Sequence, residues 1–200
     1  MSLEAWNTVA SVATFLVIAA TAIAALVQLR HARRGNSIAA YSDLSAVRDS
    51  PQFAHAQQFV LADLQTIMRG PAFRYQVAHR SARTAETRES IVVINTVGNY
   101  YESMGAMVKL GLVDQTLILQ LWWEIILGTW KCLEPCTAMM RRTVGDGLWE
   151  HFEYLAVLSE DWGASHPGGA YPPDVRRFNV QDIYRDEDAA YAASLAQDAP

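Results

Sequence analysis

Hydrophobic positions first run almost without a break and then recur at helical spacing. From Val9 to Val27 nineteen residues pass without a charge, and between Ala5 and Leu29 only Asn7, Thr8, Ser11, Thr14, Thr21 and Gln28 are polar. At 1.5 Å rise per residue, about twenty such residues cross a hydrocarbon layer of roughly 30 Å, so the run predicts one N-terminal transmembrane helix. Val9, Phe15, Leu16, Ile18, Ile23 and Val27 form its apolar body. A cleaved leader is the main rival, since Ala22-Ile23-Ala24 imitates a cleavage site; a buried core helix is the third reading. Against the leader, the segment MSLEAWN has no Lys or Arg, while Arg30, His31, Arg33 and Arg34 stand directly behind the run. Such a flank resists export and keeps Arg30, Arg33 and Arg34 cytoplasmic, with the N-terminus outside and the body inside. Ala20 and Ala24, and Thr21 and Ala25, are small residues four apart, a spacing that lets two helices approach closely in lipid.

Past the basic cluster, residues 36–49 continue as helix. Ser50-Pro51 supplies an N-cap and an N1 proline for a new one, in which Phe53, Ala56, Val60, Leu64, Ile67 and Met68 recur on one face. Gly70-Pro71 ends it, and an arginine-rich stretch to about Thr84 follows, with a short helix near Phe73 to His79. A long helix is expected from about Glu86 to Leu110, stopped by Gly111 and restarted at Asp114 as a hairpin. Gly98 and Gly105, seven apart, lie on the same side and predict close contact with another helix. The returning helix has Thr116, Gln120, Glu124 and Lys131 as a narrow polar stripe and is expected to be buried on most of its circumference. Pro135 should kink or break it, and Gly145-Asp146-Gly147 precedes a last core helix from Leu148 to about Trp162. No strand alternation of useful length occurs. The fold class is therefore all-α: one N-terminal transmembrane helix followed by a cytoplasmic helical bundle that contains a long hairpin.

Composition sharpens this. At 51% apolar and 18% charged, the chain is greasy for a soluble protein and too polar for several spans. The net charge of −5 lies in the tail: residues 159–200 hold eight acids and three arginines, while residues 1–158 hold thirteen of each sign. No domain-scale basic surface is offered to a duplex, so nucleic acid is not an expected partner. The expected organisation is an anchor with its basic flank over 1–34, a bundle over 35–164, and an acidic tail containing HPGGAYPPD over 165–200.

The segments QLRHARRGN, Ser50-Pro51-x-Phe53, YYESMGAMVKLGLVD, TWKCLEPCTAMMRR and WEHFEYLA together carry a family resemblance. The chain resembles the bacterial membrane-anchored proteins grouped as a domain of unknown function, DUF4760, over most of residues 5–158. The strongest part is the hairpin from Tyr101-Glu102 to Asp114, with Trp130, Pro135, Trp149 and Glu153 downstream. The resemblance implies one amino-terminal helix followed by a cytoplasmic bundle in a bacterial inner membrane. It carries over no activity and no site residues.

Candidate chemistry is sparse. No Glu-x-x-His occurs, so the glutamates on apolar helices do not form a di-iron set; Glu102 or Glu153 is expected to pair with Arg141 or Arg142 inside the bundle. Cys132 and Cys136, with no further ligands nearby, read as interior thiols. An Arg-x4–6-His ribonuclease signature of the HEPN type has two matches, Arg74 to His79 and Arg48 to His55, about the number chance supplies. The aromatic residues could line a ligand pocket but suit core anchors better, and adjacent Trp122 and Trp123 point about 100° apart, so that one of them is expected at a partner or membrane surface. The resulting expectation is a non-enzymatic, single-span protein without cofactor or metal. Its partners would be the lipid bilayer and other membrane subunits or further copies of itself. A tethered small-ligand sensor is the alternative, and a HEPN-like ribonuclease a lesser one.

Overall fold

The computed structural model describes residues 3–197, and among these the side chains of all but 3–5, 7–11, 13, 29–36 and 196–197. Every regular element in it is helical, and the chain divides into two compact units, one up to Gly169 and one from Ala170. Helix α1 runs without interruption from Leu3 to Arg48, so the apolar run and the segment after the basic cluster are one rod of 46 residues, roughly 70 Å long. Among the described residues its last turns are the ones that pack on the core: Leu44 is buried, Ala40 and Tyr41 lie against the core, and the Tyr100 hydroxyl donates to Leu44 O at 3.2 Å. Among the described residues no helix is long and apolar enough to cross a membrane. Of the expected span, Val9–Ser11 and Ala13 have side chains outside the described set, which leaves Thr14–Gln28 as its longest described stretch. That stretch is not a core helix, because Phe15, Leu16, Val17, Ile18, Ile23 and Leu26 are each 60–69% exposed.

Ser50 caps α2 (Pro51–Gln58) by accepting from Phe53 N, as the Ser-Pro pair predicts. The helix then widens into a π turn over Phe59–Asp63 before α3 (Leu64–Ile67), and Phe53, Ala56, Val60 and Leu64 all reach the core. Helix α4 spans Pro71–Ala78 and a 3-10 turn Arg80–Ala82. The hairpin consists of α5 (Ala85–Lys109), capped by Thr84, and α6 (Gln115–Val144), capped by Asp114, with Gly111 at φ +68° between them. Helix α7 (Glu150–Ser165) lies against both and completes the bundle.

Two expectations about α6 change. Pro135 does not break it: the helix continues through this exposed residue, and Lys131, whose carbonyl loses its N–H partner, is exposed as well, while Leu133 and Cys136 stay fully buried. Nor is α6 buried round most of its circumference: Leu117, Leu121 and Ile125 are 39%, 51% and 37% exposed, on a side that α7, α4 and the π turn leave uncovered. The second unit, taken by itself, carries α8 (Arg185–Gln197), with Asp186, Glu187 and Asp188 in its first turn, where the helix dipole favours acids.

Candidate functional site

Gly98, Asn99, Glu102, Gly105 and Lys109 fall along one face of α5 because their spacing follows the helical repeat. The first turn of α7 sits directly on that face. A Cβ on Gly98 would stand 2.7 Å from Trp149 Cη2 and closer still to Cε2 and Cζ2; one on Gly105 would stand 2.6 Å from the carbonyl carbon of His151. Both glycines therefore serve close packing, as their spacing predicts.

Trp149 precedes α7 in the left-handed region, at φ 55° and ψ 39°, a conformation that costs a non-glycine residue about 1 kcal/mol or more. Its ring is 2% exposed and its indole Nε1 donates to Asn99 Oδ1 at 3.0 Å. As the residue before the helix it has no side-chain acceptor to offer the orphan N–H groups of α7. Glu102 provides that acceptor from another helix: Oε2 accepts from His151 N and Phe152 N, each at 2.9 Å, and Oε1 lies 2.7 Å from His151 Nδ1. The anion also meets the positive end of the α7 dipole. On the other side of the ring, His151 Nε2 is 3.4 Å from Lys109 Nζ and 3.9 Å from Glu150 Oε1. The imidazole thus lies between the Glu102 carboxylate on its Nδ1 side and the Lys109 ammonium on its Nε2 side. Among the described residues no three His, Cys, Asp or Glu side chains converge as metal ligands. The arrangement is a polar latch that holds α7 to α5.

A second latch closes the α6–α7 turn. Arg141 donates from Nε and Nη2 to Leu148 O at 3.0 and 2.8 Å, and Nη2 is 2.7 Å from Glu153 Oε2. Of the four expected ion-pair residues the fold thus brings Arg141 to Glu153. Glu102 has a different partner: it meets His151 and the α7 backbone, because the glycines on its face draw the helix start towards it. Arg142 is exposed. His151 was missed; the signal for it was a glutamate set between two same-face glycines, which must point at whatever those glycines admit.

Trp122 and Trp123 do diverge, yet both are half-buried within the bundle. Trp122 stacks on Tyr41 of α1 at 5.4 Å with Arg48 Cζ 4.6 Å above its ring, and Trp123 fills the space over Gly163 of α7, where a Cβ would come within 2.9 Å of its Cε3. Each of them thus has a partner within the bundle. Phe53, Tyr100, Tyr101, Phe152 and Trp130 form a chain of ring contacts with centroids 4.4–6.3 Å apart. Packed in this way, they fill the core with their rings, and of the five only Trp130 borders a groove given below. Two shallow grooves, of about 220 Å3 beside Trp130 and about 270 Å3 beside Phe73, fall below the roughly 300 Å3 of a small-molecule site. Burial raises the Tyr100 phenol well above its ordinary value, and raises Tyr101 despite its bonds to Thr129 and Gln57. Cys136 is fully buried, which pushes its thiol up to about 12, and Cys132 is half-buried.

The two ribonuclease-like pairs have other employment. Arg74 Nη1 donates to Met68 O and Arg69 O at 2.7 and 2.8 Å, and His79 stacks on Tyr75 with Nδ1 2.9 Å from its carbonyl. Arg48 lies over Trp122, whereas His55 is on the exposed face of α2.

Of the membrane-facing candidates, Phe15, Leu16, Ile18, Ile23 and Val27 are exposed, as are Ala20, Thr21, Ala24 and Ala25; the Thr21 hydroxyl donates to Val17 O at 2.7 Å. The side chains of Val9, Arg30, Arg33 and Arg34 lie outside the described residues. The family described as "Domain of unknown function (DUF4760)" matches residues 15–162. No curated protein and no solved structure matches the chain.

Proposed function

The chain belongs to the DUF4760 family, and from that premise we propose that it is a single-span membrane protein. Helix α1 would be its uncleaved anchor and the bundle a cytoplasmic module that binds other membrane subunits or further copies of itself. One observation carries the anchor: Phe15, Leu16, Val17 and Ile18 are consecutive and all exposed. At about 100° per residue they point round nearly the whole circumference. A partner helix in water would cover one side of such a rod, whereas lipid covers all of it. Leaving Phe15, Leu16, Val17, Ile18, Ile23 and Leu26 in water forfeits about 1.5–3 kcal/mol each, on the order of 10 kcal/mol together, as much as the stability of a whole domain.

The basic residues behind the run favour an outside N-terminus and an inside bundle. The mechanism would be tethering: confinement to a thin layer raises the effective concentration of the bundle for its neighbours. The latches on α7 support a binding role over catalysis, because their polar groups are spent on one another and on backbone.

Washing membranes with 1 M salt and then 4 M urea tests the anchor; the chain should stay with the membranes until detergent is added. Release by urea alone refutes it. Mass measurement in mild detergent tests the binding role, and a lone monomer with no co-purifying subunit counts against it.

A further inference from the structure

The bundle is electrically lopsided. Residues 69–88 hold Arg69, Arg74, Arg80, Arg83 and Arg88 against one acid, Glu86, whereas the rest of 37–169 sets five bases against thirteen acids. The fold gathers the five arginines at one corner, where the end of α3, helix α4, the 3-10 turn and the start of α5 meet. Hydrogen bonds connect them: Arg74 to the carbonyls of Met68 and Arg69, Arg83 to those of Gln76 and Val77, and Arg88 to that of Arg83. Arg83 N donates to Arg80 O at 3.4 Å in the 3-10 turn, and burial and then the charge of Arg80 lower the Arg83 guanidinium from its ordinary value.

Among the described residues none of the five has a carboxylate within 4.0 Å, while Arg48 and Arg141 both do. Helix capping accounts for Arg74, Arg83 and Arg88. It leaves Arg69 and Arg80 unexplained, for both are exposed and hold no carbonyl.

We propose that this arginine corner docks on the anionic surface of the membrane in which the chain is anchored, so that the bundle lies against the headgroups in one orientation. The inference rests on the anchor reading. A cation near an anionic bilayer gains roughly fivefold in local population, a weak effect for a free protein but a decisive one for a module already held within a few tens of ångströms. The acidic remainder of the bundle would be repelled, and this sets the orientation. Tyr75, 58% exposed at the same corner, suits the headgroup layer, and because His79 already covers one of its faces at 4.1 Å it is a poor platform for a nucleic-acid base.

The test uses the full chain with S81C carrying a fluorophore, on a C132S background in which the remaining Cys136 is buried. It is reconstituted into vesicles of phosphatidylcholine with and without 30% phosphatidylglycerol, with a quencher on the headgroups. Quenching should rise at least threefold with the anionic lipid, fall back in 0.5 M salt, and drop to the neutral-lipid level in R69Q/R80Q, a change that removes no hydrogen bond found here. Equal quenching in the two lipids, or no effect of R69Q/R80Q, overturns the proposal. So does displacement of the corner from anionic vesicles by a single-stranded RNA oligomer at physiological salt. Failure to enter vesicles at all would instead reject the anchor, so the two failures are distinguishable.

Discussion

Replacing Gly105 by alanine drives a methyl group into the backbone of α7. The new Cβ would stand 2.6 Å from the His151 carbonyl carbon and 3.2 Å from its Cβ, and a carbonyl cannot rotate out of the way as a side chain could. The first turn of α7 must then retreat, loosening fully buried Phe152 and Leu155 and stretching the two bonds from His151 N and Phe152 N to Glu102. Overpacking of this kind costs about 1–3 kcal/mol, and each strained bond to a charged acceptor forfeits part of its roughly 1.5–3 kcal/mol. The gain in helix propensity from Gly to Ala returns about 1 kcal/mol, leaving a net loss of about 3 kcal/mol. For a chain of this size that lowers Tm by about 6–12 °C. Gly128 is the control, for it too lies inside a long helix but a Cβ there meets nothing within 4 Å. Gly128→Ala should therefore raise Tm by about 2–4 °C. Circular dichroism melts of the full chain in one detergent compare the three proteins. A Gly105→Ala variant as stable as the parent, beside a stabilised Gly128→Ala, would mean that α5 and α7 do not touch as described.

Arg141→Lys should cost about 1–2 kcal/mol in urea unfolding, because an ammonium cannot serve Leu148 O and Glu153 together as the guanidinium fork does; an unchanged midpoint would show that the fork is dispensable. In the native chain a maleimide should modify Cys132 and spare Cys136 at pH 8, with both reacting in denaturant, and equal native rates would contradict the burial of Cys136. The same burial predicts alkaline sensitivity. The folded Cys136 thiol keeps its proton up to about 12 while the unfolded chain releases it above about 9, and Tyr100 and Tyr101 shift in the same direction. The unfolded state then binds fewer protons, so stability is complete below about pH 9 and falls as pH rises towards 12. A urea midpoint that stays level from pH 8 to 11 would refute it.

The helices were legible in the chain because each announces itself locally. Ser50-Pro51, Thr84 and Asp114 are caps, Gly111 is a stop, and the apolar repeat of α5 marks a buried face, all set by backbone chemistry within one or two turns. Gly98 and Gly105 even indicated where another helix would press. Which helix did so, and what it brought, was not local information. The left-handed Trp149, the partnership of Glu102 with a helix start 49 residues away, the passage of α6 through Pro135 and the assignment of Trp122 to α1 and Trp123 to α7 each depend on contacts between distant segments. Local preferences of about 1–3 kcal/mol yield where several buried side chains act together, and only the packed tertiary structure shows where that happens.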